Sequence, residues 1–311
     1  MQAFHSDAHL LDLPDGHRFP QAKYRLLRER LEAEPGLIRL QPAVAATPDE
    51  LALVHAPAYV DAVRLGGLTP SQQREIGFPW SLSMVERSLH SVGATLLAAR
   101  AALTEGVAAN LAGGTHHAYA DNGSGFCVFN DVAVAARLMQ ADAAARQRGR
   151  MRVLVIDLDV HQGNGTAAIF RDDDSVFTLS MHGEKNFPFR KEPSDLDVNL
   201  PDGCTDEPYL DALDAALQQV WSRLAAEPPG LAFYLAGADP HEGDRLGRLK
   251  LSSAGLRERD RRVLQALRER GIPVALAMAG GYGHDLNITV DLQVNTLSEA
   301  AHSWQLWQQG R

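Results

Sequence analysis

Val153-Leu154-Val155-Ile156-Asp157-Leu158-Asp159-Val160-His161-Gln162-Gly163-Asn164-Gly165 opens with four apolar, mostly β-branched residues and turns polar as soon as they end. The pattern predicts a buried strand with chemistry at its carboxyl end. Side chains alternate along an extended segment, so Asp157, Asp159 and His161 point one way while Leu158 and Val160 point the other. Two carboxylates and an imidazole then converge, and the glycines let the backbone turn tightly behind them. An isolated D-x-D is explained equally well by a cap and turn that end a strand. The added histidine and the glycine-rich exit favour a divalent metal, zinc or another first-row ion, with three protein ligands and an open position.

Working outward, the apolar spacing predicts helices over 18–34, 81–105, 131–148, 207–226, 252–270 and 292–309, and one starting after the N-cap candidate Thr47 and running through 51–54. The first of these stops at Pro35-Gly36. Strands are predicted at 37–40, 107–112, 152–156, 175–181, 231–235 and 272–278, while 65–79 and the stretch from His182 to Asp195 read as loops. Strands alternating with helices of this length predict an α/β fold of three layers, αβα, around a mostly parallel sheet, in one domain over 1–311. Ligands in such sheets bind beyond the carboxyl ends of the strands. Four strands here exit into His116-His117, Asp157/Asp159/His161, Asp239 and Gly280-Gly281-Tyr282. These clusters are therefore expected on one edge of one sheet.

Asp159, His161 and Asp239 are the natural metal ligands, leaving open positions for water and a substrate carbonyl oxygen. His116 and His117 supply acid–base groups, one to take a proton from the attacking water and one to protonate the leaving group. Tyr282, between glycines, carries a hydroxyl suited to a developing oxyanion. Read alone, a His-His pair is more often a local hydrogen-bonding feature and a lone tyrosine a packing residue; their joint exit from neighbouring strands gives the functional reading its weight.

The bulk properties bound the class. The chain has 311 residues, 45% of them hydrophobic and 22% charged, an ordinary globular composition with material for a large core. A net charge of −9 argues against nucleic-acid affinity. No run approaches the length of a membrane span and the N-terminus lacks signal-peptide character, so no membrane role and a cytoplasmic location are expected. Two cysteines, Cys127 and Cys204, are too few for a disulfide framework or a thiolate zinc site.

Gly113-Gly114-Thr115-His116-His117-Ala118, Gly125-Phe126-Cys127-x-x-Asn130-Asp131, the stretch from Asp157 to Gly165, Gly237-Ala238-Asp239 and Gly281-Tyr282 resemble, in this order, the motifs of the histone deacetylase family. The likeness runs from about Arg18 to Gly283, and Glu242-Gly243-Asp244-Arg245-Leu246-Gly247 looks most like the class IV group and its short bacterial relatives. It implies an arginase/deacetylase-like fold and a zinc-dependent deacylase that hydrolyses N-acyl-lysine, acetyl or longer, by metal-activated water. Iron(II) is the alternative ion. Carried over by position, zinc falls on Asp159, His161 and Asp239, the acid–base pair on His116 and His117, and carbonyl polarisation on Tyr282. Asp157 is implied to orient His116 and to hold a structural potassium ion with main-chain oxygens near Ser180 and Met181. Gly125 and Phe126 are implied to form one wall of an acyl-lysine channel, with Phe187 or Phe189 opposite. Asn164 stands where many members carry an aspartate, which should leave His117 less basic. The segment after His182 departs from the family's glycine-rich pattern, leaving acyl-chain preference open.

Three rivals follow from the same residues. An acetylpolyamine or other small acylated-amine hydrolase would share the mechanism and place an acidic residue, Glu75, Glu86 or Glu184, at the channel mouth. An arginase-type enzyme needs further carboxylates to bridge two metals, and the positions after His161 and Asp239 that would supply them hold Gly163 and His241. A non-catalytic acyl-lysine binder gains little support, because every expected catalytic position is filled.

Overall fold

The computed structural model describes residues 1–33, 36–147 and 149–310. The expected helix stop at Pro35 and the expected end at Arg148 lie outside the described residues. Eight strands, Gln2–His5 (β1), Arg39–Pro42 (β2), Val107–Asn110 (β3), Val153–Asp157 (β4), Val176–Gly183 (β5), Leu196–Leu200 (β6), Leu231–Leu235 (β7) and Val274–Ala277 (β8), form one sheet in the order β2-β1-β3-β8-β7-β4-β5-β6. Every neighbouring pair runs parallel. The helices are Ala22–Ala33 (α1), Pro48–Leu51 (α2), Pro57–Leu65 (α3), Pro70–Ile76 (α4), Leu82–Glu105 (α5), Asp131–Ala145 (α6), Asn164–Phe170 (α7), Asp206–Arg223 (α8), Ser253–Glu269 (α9) and Leu286–Gln309 (α10). Among the described residues no helix is long and apolar enough to cross a membrane.

The sheet is sandwiched, and β4 shows how. Leu154 and Ile156 join Leu213 of α8, Val263 and Leu267 of α9 and Leu297 of α10 on one face. Val153 and Val155 join Val92 and Leu96 of α5 and Val132 and Ala136 of α6 on the other. Full burial of one such aliphatic side chain contributes roughly 1.5–3 kcal/mol. A strand buried on both faces is thus held far more firmly than β6 at the edge, where only Leu200 is buried. Beyond Asp157 the alternation continues: Leu158 and Val160 stay in the core with Leu154 and Ile156.

Several elements depart from the sequence reading. The strand expected at 37–40 sits at Arg39–Pro42, pairing with β1, which the sequence reading does not include. The expected loop over 65–79 contains α4, whose single buried residue, Ile76, leaves no apolar periodicity to find. End chemistry holds it instead: Thr69 accepts the Gln72 N–H, the Gln72 side chain accepts from the Thr69 N–H, Pro70 opens the helix and Gly77 at φ +85° closes it. The helix after Thr47 ends at Leu51, and α3 follows as a separate element. The charged loop leads into an additional edge strand, β6, and α10 starts at Leu286.

Candidate active site

β3, β8, β7 and β4 are consecutive in the sheet, so the four polar exits lie side by side at its carboxyl edge. They frame a cavity of about 800 Å³ whose lining includes His116, His117, Asp159, His161 and Tyr282, with Asp239 fully buried behind it.

Asp159, His161 and Asp239 offer ligand atoms that all lie within 4.8 Å of one another, the only such cluster of three among the described residues. His161 Nδ1 is 3.0 Å from Asp159 Oδ1 and 3.2 Å from Asp239 Oδ2. Main-chain N–H groups fix the outer oxygens: Gly280 donates to Asp159 Oδ2 at 2.7 Å and Val160 to Asp239 Oδ1 at 2.9 Å. Asp239 Oδ2 has no hydrogen-bond donor although it is buried. Burying a carboxylate is costly, and the His161 ring 3.2 Å from Oδ2 offsets only part of that cost. Burial and then repulsion by Asp159 accordingly push Asp239 up to about 7. Burial pulls His161 down, but its contacts with Asp159 and Asp239 outweigh this and raise it to about 10. Two converging carboxylate oxygens, one undonated, beside one imidazole nitrogen form a donor set that fits a divalent cation. Gly280 leaves the room: a Cβ there would stand 1.8 Å from Asp239 Oδ2 and 2.6 Å from Asp159 Oδ2.

The two adjacent histidines have opposite surroundings. His116 Nδ1 meets Asp157 Oδ2 at 2.6 Å; burial lowers its basicity, yet the charges of Asp157 and Asp159 raise it to about 9. His117 Nδ1 meets Asn164 Oδ1 at 2.6 Å, and burial with the charges of His116 and His161 holds it well below the usual histidine range. Asn164 Nδ2 donates to the Tyr119 hydroxyl at 2.8 Å, which turns Oδ1 toward the ring. His117 therefore donates from Nδ1 and keeps Nε2 as an acceptor.

Buried partners position these groups. The Asp131 carboxylate, at the start of α6, accepts the Gly114 and Thr115 N–H groups at 3.0 and 2.8 Å and the Thr95 hydroxyl at 2.6 Å, anchoring the histidine loop to α5 and α6. Asn130 caps α6 through Ala133 and donates to the Ala118 carbonyl. Arg259 of α9, itself paired with Asp260, donates to the carbonyls of Gly237 at 2.7 Å and Leu158 at 3.3 Å, tying the β7 and β4 exits together. Asp244 accepts the Tyr282 N–H at 2.6 Å, and buried Lys23 donates to the carbonyls of Ala279 and Gly281 on either side of that loop. The sequence reading gave none of these a role. Asp131 and Asn130 lie in a quoted motif, whereas Lys23 is a lone lysine on an amphipathic helix and leaves no signal.

Phe126 and Phe187 line the cavity. Phe126 packs 6.0 Å from the Tyr282 ring, and Phe187 stands edge-on to His117 at 4.9 Å between centroids. Phe189 also borders the cavity but is 87% exposed, out at the mouth. Gly125, at φ +54°, passes so close that a Cβ would meet His117 at 2.6 Å and Phe187 at 3.0 Å. Asp157 and Ser180 are register partners across β4 and β5, and Met181 follows in β5.

The family model described as "Histone deacetylase domain" matches residues 17–296. The chain is 48% identical over 293 residues to an uncharacterised protein of Picosynechococcus sp., spanning 91% of this chain and 93% of that one. It is 35% identical to "Histone deacetylase 2" of Arabidopsis thaliana over 76% of this chain and 62% of the relative, and 33% identical to "Acetoin utilization protein AcuC" of Bacillus subtilis over 78% and 65%. Among solved structures, an HDAC homologue from Aquifex aeolicus superposes with a TM-score of 0.81 at 25% identity, covering 97% of this chain and 84% of the other.

Proposed function

The chain belongs to the histone deacetylase family, and on that premise we propose that it is a zinc-dependent deacylase that hydrolyses the amide of N-acyl-lysine or a related acylated amine, with iron(II) as the alternative ion. The observation that carries the reading is the buried, undonated Asp239 Oδ2 facing His161 beside Asp159, next to a paired-histidine wall. Zinc held by these three residues would supply Lewis acidity, polarising the substrate carbonyl and acidifying a water.

The protein's own groups do the rest. His117, neutral and with Nε2 free to accept, takes the proton from the attacking water. His116, kept protonated by Asp157, supplies the proton that the departing amine requires. The Tyr282 hydroxyl stays protonated, since burial above all pushes its titration well above the usual range, and it donates to the oxygen on which negative charge develops. Phe126 and Phe187 enclose the acyl-lysine stem and keep bulk water out, with Gly125 giving the stem room and Phe189 extending the wall at the mouth. The bond broken is the amide C–N; the products are a carboxylic acid and a free amine. A structural potassium ion on Asp157 and main-chain oxygens near Ser180 and Met181 belongs to the same proposal, as do one catalytic domain over 1–311 and a cytoplasmic location, to which the free, buried Cys127 and Cys204 are suited.

The test is release of free acid from acetylated and long-chain-acylated lysine peptides beside acetylated polyamines, with the zinc-loaded protein and Tyr282→Phe as control. Tyr282-dependent release from lysine peptides supports the proposal. A metal-loaded protein that releases acid from none of them overturns it.

A further inference from the structure

The chain is acidic overall, at −9, yet the mouth of its cavity is basic. Arg18, Arg74, Lys185, Arg245 and Arg248 all line the cavity with exposed side chains, against one exposed lining carboxylate, Glu75. They come from separate parts of the chain: the segment before α1, helix α4, the β5–β6 loop and the connection from β7 to α9. Arg248 is neutralised by Asp202 at 3.0 Å. Among the described residues Arg245 meets no carboxylate: its Nε donates to the Tyr282 carbonyl at 2.8 Å and its guanidinium reaches the Arg18 carbonyl. Among the described residues the side chains of Arg18, Arg74 and Lys185 form no ion pair. Of the three acids a polyamine hydrolase could place at the mouth, Glu75 does line it, accepting from Asn122, and is outnumbered by the cations, while Glu184 lies outside the lining. Glu86 sits beside His9, outside the lining, and the Asp244 carboxylate is taken up by the N–H groups of Tyr282, Leu246 and Gly247.

From this we infer that the channel mouth selects N-acyl-lysine flanked by acidic residues in a peptide or protein, and disfavours polycations such as acetylated polyamines. The inference rests on the deacylase reading of the site and narrows its substrate. Cations spread around the rim are reached together only by a chain lying across the mouth, while the stem occupies the aromatic channel. Like charge repels a polyamine at the same place, and a basic rim in an acidic protein also steers acidic partners toward it. Each exposed contact is weak and screened by salt, so discrimination comes from several acting together, about tenfold in affinity at low ionic strength.

Anisotropy of fluorescent acetyl-lysine peptides carrying Asp, Gln or Lys on both sides, bound to full-length, zinc-loaded Tyr282→Phe, measures this without turnover. The acidic peptide should bind about tenfold tighter than the neutral one and the basic peptide weakest, the spread shrinking with added salt. Arg74→Glu with Lys185→Glu should invert the ranking. Equal affinities for the three peptides, or tighter binding of acetylspermidine than of the acidic peptide, overturn the inference. Turnover of the same peptides by the native protein separates the two claims. Acidic preference in binding without acid release from any peptide defeats the deacylase reading alone, whereas equal binding and equal turnover of all three defeats the charge selection alone.

Discussion

His117 donates from Nδ1 to the amide oxygen of Asn164 at 2.6 Å, where its neighbour His116 meets the carboxylate of Asp157 at the same distance. One partner is neutral and the other charged, and this sets two adjacent imidazoles to opposite protonation states: His116 is raised to about 9, while His117, buried beside two cationic rings, falls well below the usual range.

Asn164→Asp should narrow that difference. An anion next to His117 stabilises its imidazolium, so the acid limb of the pH dependence of kcat/KM, set where His117 gains a proton and ceases to act as base, should move up by about 1–3 units. An unmoved acid limb in the variant would remove His117 as the titrating base.

Tyr282→Phe keeps the ring that packs near Phe126 and deletes only the donor. Turnover should drop by at least about a hundredfold with metal content unchanged, as for other oxyanion donors. Elemental analysis alongside steady-state kinetics checks it; near-normal turnover contradicts the assigned role.

Gly280→Ala places a methyl group where the ligand oxygens converge, 1.8 Å from Asp239 Oδ2. Zinc affinity, measured by chelator competition, should weaken at least about tenfold, a loss of the size seen when groups supporting metal ligands are disturbed. Asp239→Ala should lose the ion outright. Because zinc stabilises only a chain that binds it, zinc should raise the melting temperature of the native protein and leave that of Asp239→Ala unmoved.

His55 offers a test away from the metal. Its Nε2 accepts the Asn130 N–H at 2.9 Å, and burial lowers its pKa to about 4. With the folded value below the unfolded one of about 6.5, the stabilisation is complete above that pH and is lost as pH falls toward 4, because the unfolded chain takes the proton first. The full effect is about 3 kcal/mol, of which about 2 kcal/mol should be gone near pH 5. Urea titrations near pH 7.5 and pH 5 should show that loss in the native protein and a smaller one in His55→Gln; an unchanged difference would point to other groups.

The layered α/β fold was legible because β4, β7 and β8 are continuous apolar runs that end in glycine and acid, and their adjacency in the sheet follows from the parallel topology. The clustering of Asp159, His161 and Asp239, the candidate metal ligands, was legible for the same reason: all three sit at strand exits. What escaped lacks periodicity. Ile76 is the single buried residue of α4, and β6 is a half-exposed edge strand with polar residues between its apolar ones. Supporting residues such as Lys23 and Arg259 escaped because their role lies in carbonyls of loops far away in sequence, at Ala279 and Leu158. The basic rim is invisible in the chain order, since its cations converge only after folding.

The position of β8 also governs when this protein can become whole. Hydrogen bonding in the sheet makes two blocks, β2-β1-β3 and β7-β4-β5-β6, and β8 alone bridges them. Its residues, Val274–Ala277, are the last strand to leave the ribosome. The paired histidines follow β3 in the first block, and Asp159, His161 and Asp239 follow β4 and β7 in the second, so the two halves of the candidate site belong to blocks that the sheet joins only through β8. Pairing so distant along the chain makes folding slow and leaves two unmatched strand edges waiting during synthesis. For this architecture the interval before β8 inserts, when β3 and β7 each present an unmatched edge, is when a folding chain is most open to aggregation.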